Sequence, residues 1–397
     1  MKNKIVLALI LVLAALGSIN LIRGLTILGF SQQPTDLFLR WRENVYVSKG
    51  INPYDLSEEL FQIKQGKPQS EVSGQIDPLL SATWVGSGYP PWAFLWSSIF
   101  IPPISWEISR IVFTLFSLFA LAHLAIFVWR QTAGINPNLR LLVLVGISSI
   151  SSIGTTLGNG QWGLILASLL IVCINSLNSN KRWIAGLSFG LTALKPTCIF
   201  AFIGVFLKKD NFGALCLAGG ATLSAGILVA AYVESDIVSM LSQMMRQTSR
   251  WEDASYSLPD LLSSFGAPRG IALASCLVFG VASGAFFLSI SNNIVYQLAV
   301  GATISRLLSY HQLYDNMLLL FLLLAIAVLS IKRPHVLYTA MSLLLWMSLA
   351  LPGRITEIAL VQNIQLLIWF SSLSVVIVGY HSIESFSKSK HLSFNSA

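Results

Sequence analysis

The chain has 397 residues, 54% of them hydrophobic and only 11% charged, with a mean hydropathy of +0.71. A soluble domain carries about 25% charged residues, so this chain has too few to cover a water-facing surface. Its net charge of +8 comes from scattered basic residues, many at the ends of apolar runs. Such residues act as topology signals, and no nucleic-acid partner is implied.

The apolar material comes in runs of about 20 residues, the length that spans a bilayer. Lipid leaves no outside partner for a backbone polar group, so these runs read as helices, and the alternation of a membrane barrel is missing. The expected fold class is all-α, a polytopic helical membrane protein of about twelve transmembrane helices. They fall near 5–28, 90–104, 107–129, 141–157, 162–178, 183–207, 212–233, 270–290, 294–309, 313–331, 336–351 and 360–380. The first run is too long for a signal peptide and reads as an uncleaved helix. Cys173, Cys198, Cys216 and Cys276 all fall inside apolar segments, where cysteine behaves as a small buried hydrophobe, so neither a disulfide nor a metal site is expected.

Placing Lys2 and Lys4 in the cytoplasm and alternating the crossings puts Lys208-Lys209, Lys332-Arg333, Lys388 and Lys390 on the same side, as the positive-inside rule requires. Both termini are then cytoplasmic, in the plasma or inner membrane. Arg130 with Arg140, and Lys181 with Arg182, disagree with strict alternation. Hairpins over 141–178 and 183–207 would return them to the inside, and the sequence leaves both versions open.

Two polar segments, 31–89 and 234–269, are too long for simple connections, and together they hold twelve of the seventeen acidic residues. Long structured loops usually carry function, so a working site at the extracytoplasmic face is expected from them.

Asp36 follows the first helix in Gln33-Pro34-Thr35-Asp36-Leu37-Phe38-Leu39-Arg40-Trp41, which reads as a short interfacial amphipathic helix. A carboxylate there has two readings: a base reaching a lipid-borne substrate, or a helix-start acid paired with Arg40. Asn52-Pro53-Tyr54-Asp55 and Tyr89-Pro90-Pro91 read as structural punctuation rather than catalysis, with Tyr54 and Tyr89 as candidate sugar contacts. Gly158-Asn159-Gly160-Gln161-Trp162 is a tight break between apolar runs. Lys195-Pro196 lies inside an apolar stretch, where a lysine faces a cavity, a partner or a snorkelling route, and the proline kinks the helix. His311 and Asp315, in Ser309-Tyr310-His311-Gln312-Leu313-Tyr314-Asp315, share a helical face and suit either phosphate contact or a polar interfacial cap. No Asp-x-Asp pair, metal-ligand spacing or nucleotide-binding glycine loop is present, so no cofactor or metal is expected.

The order of these motifs resembles glycosyltransferase family 87. It is carried by Asp36, Asn52-Pro53-Tyr54-Asp55, Tyr89-Pro90-Pro91, Gly160-Gln161, the run Ala185 to Pro196, and His311 with Tyr314-Asp315. The resemblance implies a GT-C-like fold, with a catalytic module over 1–233 that includes the 31–89 loop. Outer loop 234–269 and more variable helices would follow, to residue 397. It also implies a polyprenyl-phosphate sugar donor, with mannose the family's best-known sugar, and a lipid or glycan acceptor among the membrane lipids. Asp36 would be the general base, while Lys195, His311, Tyr89, Tyr54, Arg40 and Gln161 are the expected substrate-binding residues. The rival expectation is a secondary transporter or flippase for a lipid-linked or small solute, which twelve helices and an intramembrane lysine would also fit. A glycan polymerase or ligase is a second rival, but it would typically use a basic outer loop.

Overall fold

In the computed structural model, residues 2–30, 35–64, 87–249, 257–309, 312–356 and 358–394 are described, and among them there is no strand. The first helices are α1 (Lys2–Phe30), α2 (Asp36–Ser48), α3 (Pro53–Lys64), α4 (Pro91–Phe100) and α5 (Trp106–Gln131). They are followed by α6 (Pro137–Ser148), α7 (Ser151–Asn159), α8 (Gly163–Asn178), α9 (Arg182–Thr192) and the short α10 (Ile203–Phe206). Next come α11 (Phe212–Tyr232), α12 (Ile237–Ser249), α13 (Leu258–Ser264), α14 (Arg269–Phe287) and α15 (Ile294–Leu308). The last four are α16 (Leu320–Lys332), α17 (Val336–Ala350), α18 (Gly353–Thr356) and α19 (Ala359–Phe394).

The expected apolar segments are helical, but fewer than twelve have spanning length. Among the described residues six do: Lys4–Phe30, Trp106–Gln131, Phe212–Tyr232, Arg269–Phe287, Leu313–Lys332 and Ala359–Ile383. α6 and α7, bent by 45°, form a seventh candidate, and α8, α15 and α17 are apolar but shorter. Two expected helices deviate for local reasons. The stretch 183–207 breaks after Thr192, because Pro196 cannot continue the helical hydrogen bonding, and 3-10 turns at Pro196–Cys198 and Phe200–Phe202 carry the chain into α10. α4 has 10 residues, about 15 Å of helix and half a hydrocarbon core. Both its ends meet α2: the Tyr89 ring before it lies under Arg40, and the Ile101 carbonyl after it accepts from Asn44 Nδ2 at 2.8 Å.

α5 runs from Trp106, packed on Phe38 of α2, to Arg130 at the end of the molecule away from α2. There Arg140, in the first turn of α6, donates to the Trp129 carbonyl at 2.7 Å. α8 starts beside Gln161 and ends at Asn178, which donates to the Asn292 carbonyl at 3.3 Å; Lys208 donates to the Asn292 side chain at 3.4 Å. Arg130, Arg140, Lys181, Arg182 and Lys208 therefore share the end of the molecule away from α2. The segment 182–206 is a hairpin entering from that end, with Lys195-Pro196 at its tip.

Close helix packing uses small residues, as expected where lipid provides no hydrophobic contrast. A Cβ on Gly24 would come 2.6 Å from the Gly154 carbonyl oxygen, and one on Gly154 would come 2.4 Å from that of Asn20. α1 thus lies directly on α7, which carries the turn described next.

Candidate functional site

Thr35 caps α2, its hydroxyl accepting from the Phe38 amide at 3.4 Å, which sets Asp36 in the first turn. α2 is amphipathic with an unusual inner face: Leu37, Arg40, Glu43 and Asn44 are all buried. The outer face carries Phe38 and Trp41, clustered with Trp106, and Trp41 Nε1 donates to the Ile104 carbonyl at 2.9 Å.

Asp36 meets the end of α7. Gly160 terminates that helix in the left-handed region (φ 65°), with its amide donating to Leu157 O and the Gln161 amide to Thr156 O. This paired pattern is a glycine C-cap of the Schellman type. A Cβ on Gly160 would fall 2.2 Å from Leu37 Cβ, so glycine also allows α2 to approach. The result aims Gln161 at α2, and its Nε2 donates to Asp36 Oδ2 at 2.6 Å.

The hairpin tip supplies Lys195, whose Nζ lies 2.6 Å from Asp315 Oδ1 and 4.8 Å from the centre of the Tyr314 ring. Asp315 belongs to a 3-10 helix, Leu313–Leu319, leading into α16. Its other oxygen accepts from the Gln312 amide at 3.0 Å in a reciprocal cap. Thr156 of α7 donates to the Tyr314 carbonyl at 2.9 Å, tying this turn to the one that aims Gln161.

Tyr89 lies at the centre, within the fields of Lys195, Arg40, Asp36 and Asp315. Burial pushes its hydroxyl up to about 12, so it stays a neutral donor under ordinary conditions. Burial works against the charge of Arg40, but Glu43, Tyr89, Asp36 and Tyr314 more than offset this and hold its pKa above the ordinary value. Asp36, Tyr89, Lys195 and Tyr314 keep exposed surface, while Arg40, Glu43, Gln161 and Asp315 beneath them are buried. The arrangement is an accessible rim of reactive groups on a buried polar support.

Six of the seven expected site residues thus converge, in different roles. Arg40 pairs with Glu43 at 2.7 Å rather than with Asp36, so the simple helix-start pair is not formed. Tyr54 has no exposed surface, and its hydroxyl donates to the Tyr89 carbonyl, so it braces the loop instead of lining the opening. His311 lies outside the described residues, as do the acidic residues of 65–86 and 250–256. Glu43 and the Lys195–Asp315 pair went unread in the sequence; the first looks like any helix-surface acid, and the second joins residues 120 apart. Among the described residues no group of three or more His, Cys, Asp or Glu could hold a metal ion.

Comparison with curated proteins and with solved structures finds no match. The family model for glycosyltransferase family 87 matches residues 88–351, a span that contains Tyr89, Gln161, Lys195 and Asp315 and stops short of α19. Asp36, on the preceding segment, reaches the matched part through Gln161. Matched over well more than half its length, this chain belongs to glycosyltransferase family 87 and is a membrane glycosyltransferase.

Proposed function

We propose that the protein transfers a hexose, with mannose the first candidate, from a polyprenyl-phosphate sugar to a lipid or glycan acceptor at the extracytoplasmic face. The observation that carries this reading is one partly exposed cluster joining a positioned carboxylate, Asp36, to a buried-paired cation, Lys195, across Tyr89. Asp36 takes the proton from the acceptor hydroxyl as that oxygen attacks the anomeric carbon. The new oxygen–carbon bond forms as the bond to phosphate breaks, in a single displacement that inverts the anomeric centre. The departing lipid phosphate is already anionic, so it needs a nearby positive charge rather than a proton, and Lys195 supplies it. An apolar groove between α1 and α5, walled by Leu25, Leu28, Phe30, Ile111 and Leu115, offers a course for the lipid chain. The basic residues at the end opposite the site support an extracytoplasmic cluster, because basic loops favour the cytoplasmic side.

The test is transfer by the purified protein in nanodiscs, with radiolabelled polyprenyl-phosphate mannose or glucose and a membrane-lipid extract as acceptor. Labelled product from the wild type and none from Asp36→Asn is the expected result. Full activity in Asp36→Asn would remove Asp36 as base, and donor carried across liposomes unconsumed would favour a transporter instead.

A further inference from the structure

Behind the Lys195–Asp315 pair lies a second cation that the mechanism above does not use. Arg306, near the end of α15, is 4% exposed. Its Nε donates to Asn316 Oδ1 at 2.7 Å, and its guanidinium stacks over the Trp369 ring at 5.0 Å. Asn316 follows Asp315 directly in the 3-10 turn. Asp315 and Asp260 are carboxylates whose charges act on Arg306. The end of α15 is locked to the hairpin tip: Ser309 Oγ donates to the Thr197 carbonyl at 2.8 Å, and Ser305 Oγ accepts from the Ala201 amide at 3.3 Å. The cation is thus held in fixed register with Lys195.

Charge counting gives this arrangement a purpose. A lysine 2.6 Å from a carboxylate forms a neutral pair and is a poor anion site by itself. Asp260, a second carboxylate acting on Arg306, lies 3.8 Å from the cation of Arg269. Adding Arg306 leaves Lys195, Asp315 and Arg306 with one net positive charge, and Lys195 is the member that keeps exposed surface. We infer that Arg306 is a positioning residue that, from behind Asp315, keeps the Lys195 pair cationic toward the phosphate of the lipid-linked substrate. Trp369, on α19, lies beyond the region matched by the family model, so the C-terminal helix helps to hold that charge.

This inference rests on the lipid-phosphate reading above, and one binding experiment separates the two. The full chain in nanodiscs is titrated with farnesyl phosphate, with farnesol as the uncharged control. Wild type is expected to prefer the phosphate; equal binding of both would overturn the lipid-phosphate reading and this inference with it. Given that preference, Arg306→Gln is expected to lose farnesyl phosphate affinity by roughly tenfold or more, with farnesol unchanged and Arg306→Lys near wild type. The double variant Arg306→Gln/Asp315→Asn restores one net positive charge and should recover most of the loss, which a merely structural arginine would not allow. Asp315→Asn alone leaves Arg306 untouched, raises the count, and should bind the phosphate more tightly, so the idea stays testable even where Arg306→Gln fails to fold. Unchanged phosphate affinity in a folded Arg306→Gln, no recovery in the double variant, or weakened binding in Asp315→Asn would each overturn the role.

Discussion

Asp36 and Gln161 come from segments 125 residues apart and meet through one short hydrogen bond of 2.6 Å. An amide donor to a carboxylate fixes which oxygen faces the opening, and a charge-assisted bond of this kind contributes about 1.5–3 kcal/mol. Gln161→Ala should therefore lower kcat by about 10- to 100-fold with a smaller change in KM, measured by steady-state transfer. Gln161→Glu tests the same contact by charge. A second carboxylate against Asp36 disfavours ionisation, so the base gains its proton more readily and the activity limb moves to higher pH. A pH profile identical to wild type would mean that Asp36 is not the titrating base. Arg40 and Glu43 present a different case, since both are buried beneath the rim. Removing one partner of a buried pair costs about 3–5 kcal/mol, whereas replacing both costs little. Arg40→Met should lower the thermal unfolding temperature sharply, and Arg40→Met/Glu43→Met should regain most of it. If the single and double variants melt together, the pair does not support α2.

At the scale of elements, the turn at Gly160 is the part most sensitive to a single methyl group. Its φ of 65° is strained for alanine, and the space a Cβ would need is already filled by Leu37. Gly160→Asn would tolerate the backbone but not the contact, so both substitutions should push α2 away and separate Asp36 from Gln161. Gly134 is the matched control: its φ is 80°, and a Cβ there would meet nothing within 4 Å, so Gly134→Asn should be silent. Loss of most transfer activity in both Gly160 variants, with Gly134→Asn unaffected, is the expected outcome; an active Gly160→Asn would show that the close approach is dispensable. The glycine turn and the short helix around Asp36 were legible in the sequence because each is decided by neighbouring residues. The break at Lys195-Pro196 was legible for the same reason. What the turn is for was not, because Gln161's partner is fixed only when α1 and α7 dock on their glycines. Arg306 was unread because an arginine near the end of an apolar run looks like a boundary marker until its burial is seen.

For the whole molecule, the apolar runs revealed nearly every helix, yet not which of them cross. Residues 90–104 are apolar enough to read as a span, and counting them as one is what sets Arg130, Arg140, Lys181 and Arg182 apart from the other basic clusters under strict alternation. The hydrogen bond from Asn44 to Ile101 and the contact of Arg40 with Tyr89 instead hold both ends of α4 on α2. One crossing fewer there, with a hairpin at 182–206, brings those basic residues to the end that also holds Lys208. This arrangement agrees with the positive-inside rule without exceptions among these residues, and it makes a prediction about labelling. Single cysteines at Gly134 and Asp210, in a background lacking the four native cysteines, should react with an impermeant maleimide only after the membrane is opened. A cysteine at Lys49, between α2 and α3, should react in intact cells. If Gly134 and Lys49 label together, α4 crosses the bilayer after all, and the site would have to be rebuilt with Tyr89 and Ile101 on opposite faces.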